Sequence, residues 1–162
     1  MRLKGKAGIV VAIMAVIIAT AIFLVNPTEA CLVVRNGKTG EILASYPMKE
    51  GGEFSVRFKH SVNQSPVEDR YRIEKEEIVV YETVYYNFGA GVQTELAPGQ
   101  TLSYGEDGAM IVSGIDRPIA DLAYHISPVY DHILTVAGKE ISLRALCKGE
   151  RAATFTYEKK RW

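Results

Sequence analysis

The chain lacks most of the residue patterns that mark common enzyme and nucleic-acid-binding classes. No G-x-S-x-G, H-E-x-x-H or C-x-x-C motif occurs in its 162 residues, so serine hydrolase, zinc protease and thioredoxin-type chemistry have no signature here. Its 19 basic and 19 acidic residues balance, and no basic stripe alternates with aromatic residues, so nucleic acid is not an expected partner. We predict no catalytic residue, no cofactor and a protein that is not an enzyme.

A long apolar run near the start is the clearest feature that the chain does have. Residues 7–25 carry no charge, and Arg2, Lys4 and Lys6 precede them. A helix of this length, at ~1.5 Å per residue, spans about 28 Å, close to the roughly 30 Å hydrocarbon core of a bilayer. Basic flanking residues stay on the cytoplasmic side. We therefore predict a cytoplasmic segment 1–6, a transmembrane helix 7–25 and an extracytoplasmic domain 26–162 of a single-pass cell-membrane protein.

Signals for processing of this N-terminal segment are present only in degraded form. Thr28-Glu29-Ala30 before Cys31 is a weak cleavage site, because small residues are preferred where Thr28 stands. Attachment of lipid to Cys31 normally requires an aliphatic residue at that same position. We favour an uncleaved anchor, with cleavage and lipidation as the alternatives.

Cysteine is scarce, with Cys31 and Cys147 the only two. Export to an oxidising compartment permits a disulfide, but sequence spacing does not decide whether the two thiols meet. Two outcomes stay open. One is a Cys31–Cys147 disulfide that joins the start and end of the domain, and the other is two buried thiols that act as small hydrophobes.

Short runs of alternating apolar and polar residues, separated by turn residues, fill the exported region. Such a pattern is typical of half-buried strands. The predicted strands cover residues 32–35, 41–46, 54–60, 67–73, 78–86, 102–104, 109–112, 122–126, 132–136, 139–143 and 152–157. We predict an all-β fold, an antiparallel sandwich or barrel of about ten short strands, with at most one helical turn in residues 140–148.

The densest group of polar residues lies between the third and fourth predicted strands. His60 and Asp69 continue the apolar phase of Phe58 and Tyr71, and His132 opens a later strand in the same phase. Burying ionisable groups without partners costs several kcal/mol. These three residues must therefore be paired or line the mouth of a cavity.

Three interpretations of this group remain open. The first is a structural network in which His60 and Asp69 bond to each other or to the backbone. The second is a ligand pocket at one end of the sandwich. The third is a metal or hydrolytic site built from His60, His132 and Asp69 or Glu68, for which no signature spacing exists, so we assign no metal ligand.

Two glycines after the long fifth strand, Gly89 and Gly91, form a second candidate stretch. They allow either a bulge at a corner or a backbone nest for an anion. His125 is out of phase with its strand neighbours and is predicted to face solvent. The candidate ligand-binding residues are His60, Ser61, Glu68, Asp69, Gly89, Gly91 and His132.

Four separated motifs resemble those of the bacterial domain of unknown function 1850 family, over roughly Cys31 to Leu146. They are Phe58-Lys59-His60-Ser61-Val62, Pro66-Val67-Glu68-Asp69, Phe88-Gly89-Ala90-Gly91 and the stretch from Pro128 through His132-Ile133-Leu134. The family continues its Gly-Ala-Gly with an aliphatic residue and a proline, whereas here Gln93 follows Val92.

The resemblance implies a small exported or membrane-anchored protein encoded beside tripartite (TRAP-type) transporters of the TAXI subclass, which use a binding protein to deliver organic anions to a permease. We therefore expect a non-enzymatic accessory or binding module that associates with TRAP transporter subunits. A stand-alone small-ligand or metal-binding domain is the alternative, and a hydrolase is the weakest one.

Overall fold

A computed structural model describes residues 8, 11–18, 20, 28–62, 64–86 and 95–160. The chain divides into two compact units, residues 1–29 with 159–162 and residues 30–158. In the first unit, residues 11–18 are helical. Within the described ranges, no helix has both the length and the apolar character that crossing a bilayer requires. Residues 7, 9, 10, 19 and 21–25 of the predicted span lie outside those ranges, and the transmembrane helix stays a prediction from sequence.

Eleven strands account for most of the described residues outside the N-terminal segment. They are β1 (Glu29–Asn36), β2 (Ile42–Pro47), β3 (Glu53–Lys59), β4 (Pro66–Glu74), β5 (Glu77–Tyr85), β6 (Thr101–Tyr104), β7 (Met110–Pro118), β8 (Leu122–His125), β9 (Ile133–Val136), β10 (Lys139–Ser142) and β11 (Ala152–Lys160). A short helix, Leu143–Leu146, follows β10. The all-β prediction is confirmed.

The strands form two antiparallel sheets, which makes the fold a sandwich rather than a closed barrel. The smaller sheet has the order β2-β1-β11-β8, and the larger has the order β10-β9-β3-β4-β5-β7-β6. Consecutive strands pair as hairpins at β1–β2, β3–β4, β4–β5, β6–β7 and β9–β10. The neighbours β3 and β9 bring together two segments that are far apart in sequence.

Local turn chemistry accounts for the tight hairpins. The side-chain oxygen of Asn36 accepts from the backbone N–H groups of Lys38 (2.9 Å) and Thr39 (3.1 Å), which is the Asx-turn arrangement. Ala137 and Gly138 join β9 to β10 with φ of +49° and +71°. Two left-handed residues in succession match the right-handed twist of the strands they connect.

The hydrophobic core lies between the two sheets. Phe155 on β11 of the smaller sheet is 1% exposed, and its ring stacks on that of Phe54 on β3 of the larger sheet, with centroids 6.0 Å apart. Val56 and Leu134 from the larger sheet and Leu32 from the smaller one are also fully buried. Burying one such side chain contributes about 1.5–3 kcal/mol, so these residues hold the sheets together.

Of the two outcomes left open for the cysteines, the structure has the second, because Cys31 and Cys147 are both free, buried thiols. Cys147 packs in the core between the sheets together with Leu32. Cys31 is the strand neighbour of Leu32 on β1, and successive side chains on a strand point to opposite faces. The two thiols therefore lie on different sides of the smaller sheet. Burial raises the pKa of the Cys147 thiol, which keeps it protonated.

Candidate functional site

All three histidines of the chain line one cavity, where β3 and β8 end and β9 begins. Its volume is about 540 Å³, within the roughly 300–1,000 Å³ typical of small-molecule sites. We call it the histidine cavity. It is lined by Phe58, Lys59, His60, Ser61, Gln64, His125, Ser127, Pro128, Val129, Tyr130 and His132.

The connection from β3 to β4 forms the first wall of this cavity. The N–H of His60 donates to the carbonyl of Ser65 (2.9 Å), and the N–H of Gln64 donates to the carbonyl of His60 (3.1 Å). The side-chain amide of Gln64 donates to the carbonyl of Ser61 (2.6 Å). These bonds close a tight loop, in which Gln64 takes a left-handed backbone conformation with φ of +56°.

A further hydrogen bond within this loop determines the tautomer of the neutral His60 ring. Its Nδ1 accepts from the backbone N–H of Val62, at 3.3 Å. A ring nitrogen that accepts a hydrogen bond carries no proton, so the neutral ring holds its proton on Nε2. His60 therefore has an Nε2–H group to donate.

The segment between β8 and β9 forms the second wall. The hydroxyl oxygen of Ser127 accepts from the N–H groups of Val129 (3.1 Å) and Tyr130 (3.3 Å). The guanidinium of Arg144, on the short helix, donates to the carbonyl of Pro128 (3.2 Å). The wall is therefore tied both to its own turn and to the helix behind it.

Asp131 anchors the end of this wall without facing the cavity. Its carboxylate oxygen Oδ1 accepts from the N–H groups of His132 (2.8 Å) and Arg144 (3.2 Å). Partial burial raises the pKa of Asp131, but hydrogen bonds from Ser142 and from these two N–H groups, with the Arg144 charge, outweigh it and hold the pKa below its ordinary value. The charge of Asp131 is thus used at the start of the short helix.

The ring of His132 is packed among aromatic side chains. It stacks on Phe58 with centroids 5.4 Å apart and meets the edge of Tyr124 at 5.9 Å. The residue is 7% exposed, and its Nδ1 is fully buried with no hydrogen-bond partner among the described residues. The presence of this unpaired nitrogen calls for an explanation, because an unsatisfied buried polar group destabilises the fold by ~1–3 kcal/mol.

Burial also determines the charge and tautomer of His132. It lowers the pKa of the ring, and the neighbouring His125 lowers it further, while Asp131 opposes them. The ring is therefore neutral at pH 7. Orphaned buried N–H groups are rarer in proteins than under-used acceptors, which favours the proton on Nε2. Since Nδ1 is shut away, Nε2 is the polar edge that the ring offers to the cavity.

A His132→Phe substitution is expected to make the protein more stable. Phenylalanine keeps the stacking and removes the unpaired nitrogen, so we expect the free energy of unfolding at pH 7 to rise by about 1–2 kcal/mol. Because the folded pKa lies below the ordinary 6.5, the wild type loses stability as pH falls below that value. Urea unfolding between pH 5 and 8 should show that the free energy of unfolding depends less on pH in the variant than in the wild type. Destabilisation by His132→Phe, or a pH dependence of unfolding equal to that of the wild type, would contradict this account.

Lys59 brings the one fixed positive charge among the described lining residues. Its ammonium nitrogen lies 4.2 Å from the centroid of the Tyr130 ring, within cation–π range. None of the described lining residues is Asp or Glu. The histidine cavity is therefore rich in hydrogen-bond donors and positive in character.

The structure divides the predicted ligand-binding residues. His60, Ser61 and His132 line the histidine cavity. Glu68 lies on the outer face of the larger sheet, where it pairs with the guanidinium of Arg70 at 3.2 Å. Gly89 and Gly91 lie outside the described residues.

Asp69 has its own hydrogen-bond network and lines a different cavity, of about 440 Å³, which also includes Arg117. Its Oδ1 accepts from the hydroxyl of Thr83 (2.9 Å), and its Oδ2 accepts from the hydroxyl of Tyr124 (2.8 Å). The hydroxyl of Tyr71 lies 2.6 Å from that of Tyr124. Burial raises the pKa of Asp69, although these hydrogen bonds oppose the rise. Asp69 is a satisfied structural carboxyl, but its partner is not His60.

Several residues of the cavity were not predicted from the sequence, and His125 was predicted only to face solvent. His125 is exposed, as predicted, and still lines the cavity beside Lys59, Gln64 and Tyr130. The sequence does contain a signal for these four residues, because each lies at the end of a predicted strand or in the loop that follows one. Which strand ends share one end of the sandwich depends on the β3–β9 pairing, and the sequence pattern does not give that pairing. Among the described residues, no group of three or more His, Cys, Asp or Glu side chains is arranged to hold a metal ion.

Comparison with known proteins places this site within one sequence family. The profile described as "Domain of unknown function (DUF1850)" matches residues 54–143, more than half of the chain. The matched range includes both walls of the histidine cavity. No curated protein and no solved structure matches the chain.

Proposed function

The chain belongs to the domain of unknown function 1850 family, and on that premise we propose that it is a small-ligand-binding module whose binding site is the histidine cavity. The observation that carries the proposal is the unpaired Nδ1 of His132, buried among aromatic rings. A core position selected for stability alone would hold a phenyl ring there. A histidine that is kept at this cost supports a role for its other nitrogen.

The walls of the cavity support binding without chemistry. Hydrogen bonds hold both connecting segments in place, through Gln64 on one side and through Ser127 and Arg144 on the other. A cavity with fixed walls binds ligands with little ordering cost. Its polar groups are a few donors set among apolar side chains, which is the usual composition of a small-molecule site.

Location and partner are further parts of the proposal. The uncharged run 7–25 after three basic residues supports a membrane anchor with the β domain outside the cell membrane. The family resemblance supports a role as a non-enzymatic accessory of a TRAP-type (TAXI) transporter. Affinity purification from detergent-solubilised membranes should then recover transporter subunits, and deletion of the chain should reduce solute uptake. Unchanged uptake without co-purification would overturn this part and leave the binding site unaffected.

The binding site itself is tested with three probes of one shape, namely benzoate, benzyl alcohol and benzylamine. We expect at least one of them to shift the ring signals of His60, His125 and His132 together and to saturate, in NMR titrations of the full chain in detergent. For so small a probe, a binding free energy of about 4 kcal/mol, or a Kd of ~1 mM, is expected. The same titration of Ser61→Trp, which adds bulk at the exposed cavity rim, controls for probe uptake by the micelle. If none of the three probes gives a saturable shift that the control lacks, the proposed site is wrong.

A further inference from the structure

We propose that the ligand of the histidine cavity is an organic anion with an apolar body, a class that includes small aromatic and branched carboxylates. This inference rests on the proposed function, since it names the chemistry of the molecule that the cavity takes. It depends on three features of the described residues: the histidine donors of the lining, the sign of the charge and the apolar wall.

Two imidazole rings with Nε2 as their available donor line the same cavity. His60 uses Nδ1 as an acceptor for the N–H of Val62, and His132 has its Nδ1 buried, so each neutral ring carries its proton on Nε2. Both residues line the cavity. A ligand that satisfies two N–H donors must present acceptor atoms, and a carboxylate presents two oxygens.

The balance of charge favours an anion over a neutral acceptor. The Lys59 ammonium lies over the Tyr130 ring, and no ion pair involves Lys59 among the described residues. Asp131 is the acidic residue nearest in sequence to this wall. Its carboxylate accepts hydrogen bonds from the N–H groups of His132 and Arg144 at the short helix. A carboxylate in the cavity would therefore meet the Lys59 charge and no Asp or Glu among the described lining residues.

The rest of the wall requires an apolar body on the anion. Val129 is 68% exposed, yet its backbone is fixed by the hydroxyl of Ser127. It stands beside Pro128 and Tyr130 on a segment that Arg144 also holds. A ligand with an apolar body would cover this exposed side chain. Inorganic anions such as phosphate or sulfate would leave this wall uncovered.

The three probes introduced above test this inference separately from the site itself. We expect benzoate to bind about tenfold more tightly than benzyl alcohol, which corresponds to about 1.4 kcal/mol, and benzylamine to give no saturable shift. Acetate, which has the carboxylate without the ring, should bind about tenfold more weakly than benzoate. Inorganic phosphate should give no saturable shift.

A matched pair of lysine variants assigns the preference to one charge. Lys59→Gln should weaken benzoate binding by close to tenfold and weaken benzyl alcohol binding much less. Lys139→Gln, at an exposed lysine on β10, should change neither. If benzyl alcohol or benzylamine binds as tightly as benzoate, the site stands and the anion inference fails. If acetate or phosphate binds as tightly as benzoate, the apolar wall has no role and this inference also fails. If no probe binds, the proposed function fails first.

Discussion

Replacing Phe155 with alanine is expected to lower the free energy of unfolding by about 3–5 kcal/mol, the usual loss for a large buried aromatic. The ring of Phe155, on the smaller sheet, packs against the larger sheet. It stacks on Phe54 at 6.0 Å and meets the edge of Tyr124 at 6.1 Å. Its removal opens a cavity between two sheets that strand pairing prevents from closing together. Urea unfolding followed by far-UV circular dichroism measures this change in the free energy of unfolding.

Thr154→Ala provides the control for this substitution. Thr154 is next to Phe155 on β11 and is only half-buried, so its side chain points to the other face of the smaller sheet. We expect it to change the free energy of unfolding by less than about 1 kcal/mol. Equal losses in the two variants would mean that the core does not lie between the sheets as described.

Tyr124→Phe is the second substitution with a large expected effect. The hydroxyl of Tyr124 donates to Oδ2 of Asp69 at 2.8 Å and lies 2.6 Å from the hydroxyl of Tyr71. Removing it leaves a buried carboxyl oxygen unpaired, so we expect the free energy of unfolding to fall by about 1–3 kcal/mol. The ring contacts with Phe58 and His132 persist, and the histidine cavity should keep its probe affinity.

The pH dependence of this variant distinguishes a lost hydrogen bond from general damage. The folded pKa of Asp69 lies above the ordinary 3.8, so stability is fully present below that value and declines as pH rises through the folded pKa. Losing the Tyr124 donor raises the folded pKa further, and the decline should extend to higher pH. Tyr46→Phe is the matched control, because burial alone raises the pKa of Tyr46 and its hydroxyl has no hydrogen-bond partner among the described residues. A Tyr124→Phe curve parallel to the control would contradict this assignment.

The strands and their facing side chains were predictable because they depend on local pattern. Alternation placed Phe54 and Val56 in the core, and Asn36 and Gly138 marked the hairpin turns. The pairing of β1 with β11 and of β3 with β9 joins segments far apart in sequence. No local rule selects such partners, so the two-sheet order had to come from the structure.

The candidate site was only partly predictable for the same reason. Phase correctly indicated that His132 and Asp69 turn inward, but phase does not say which inward residues meet. The hydroxyl of Tyr124, on the smaller sheet, donates to Asp69, and its ring contacts His132. Tyr124 therefore lies between the two residues that the sequence pattern grouped together. The sequence left the cysteine pairing open, because spacing alone does not reveal that Cys31 and Cys147 lie on opposite sides of one sheet.

The most direct test of the account is the protonation state of the imidazole nitrogens of His60 and His132, read from long-range ¹H–¹⁵N correlation spectra of the full chain with and without benzoate. We predict the Nε2-protonated tautomer for both rings at pH 7.5, and a saturable shift of both Nε2 signals on adding benzoate. Rings protonated on Nδ1, or Nε2 signals that do not respond to benzoate while the rest of the spectrum stays folded, would contradict it.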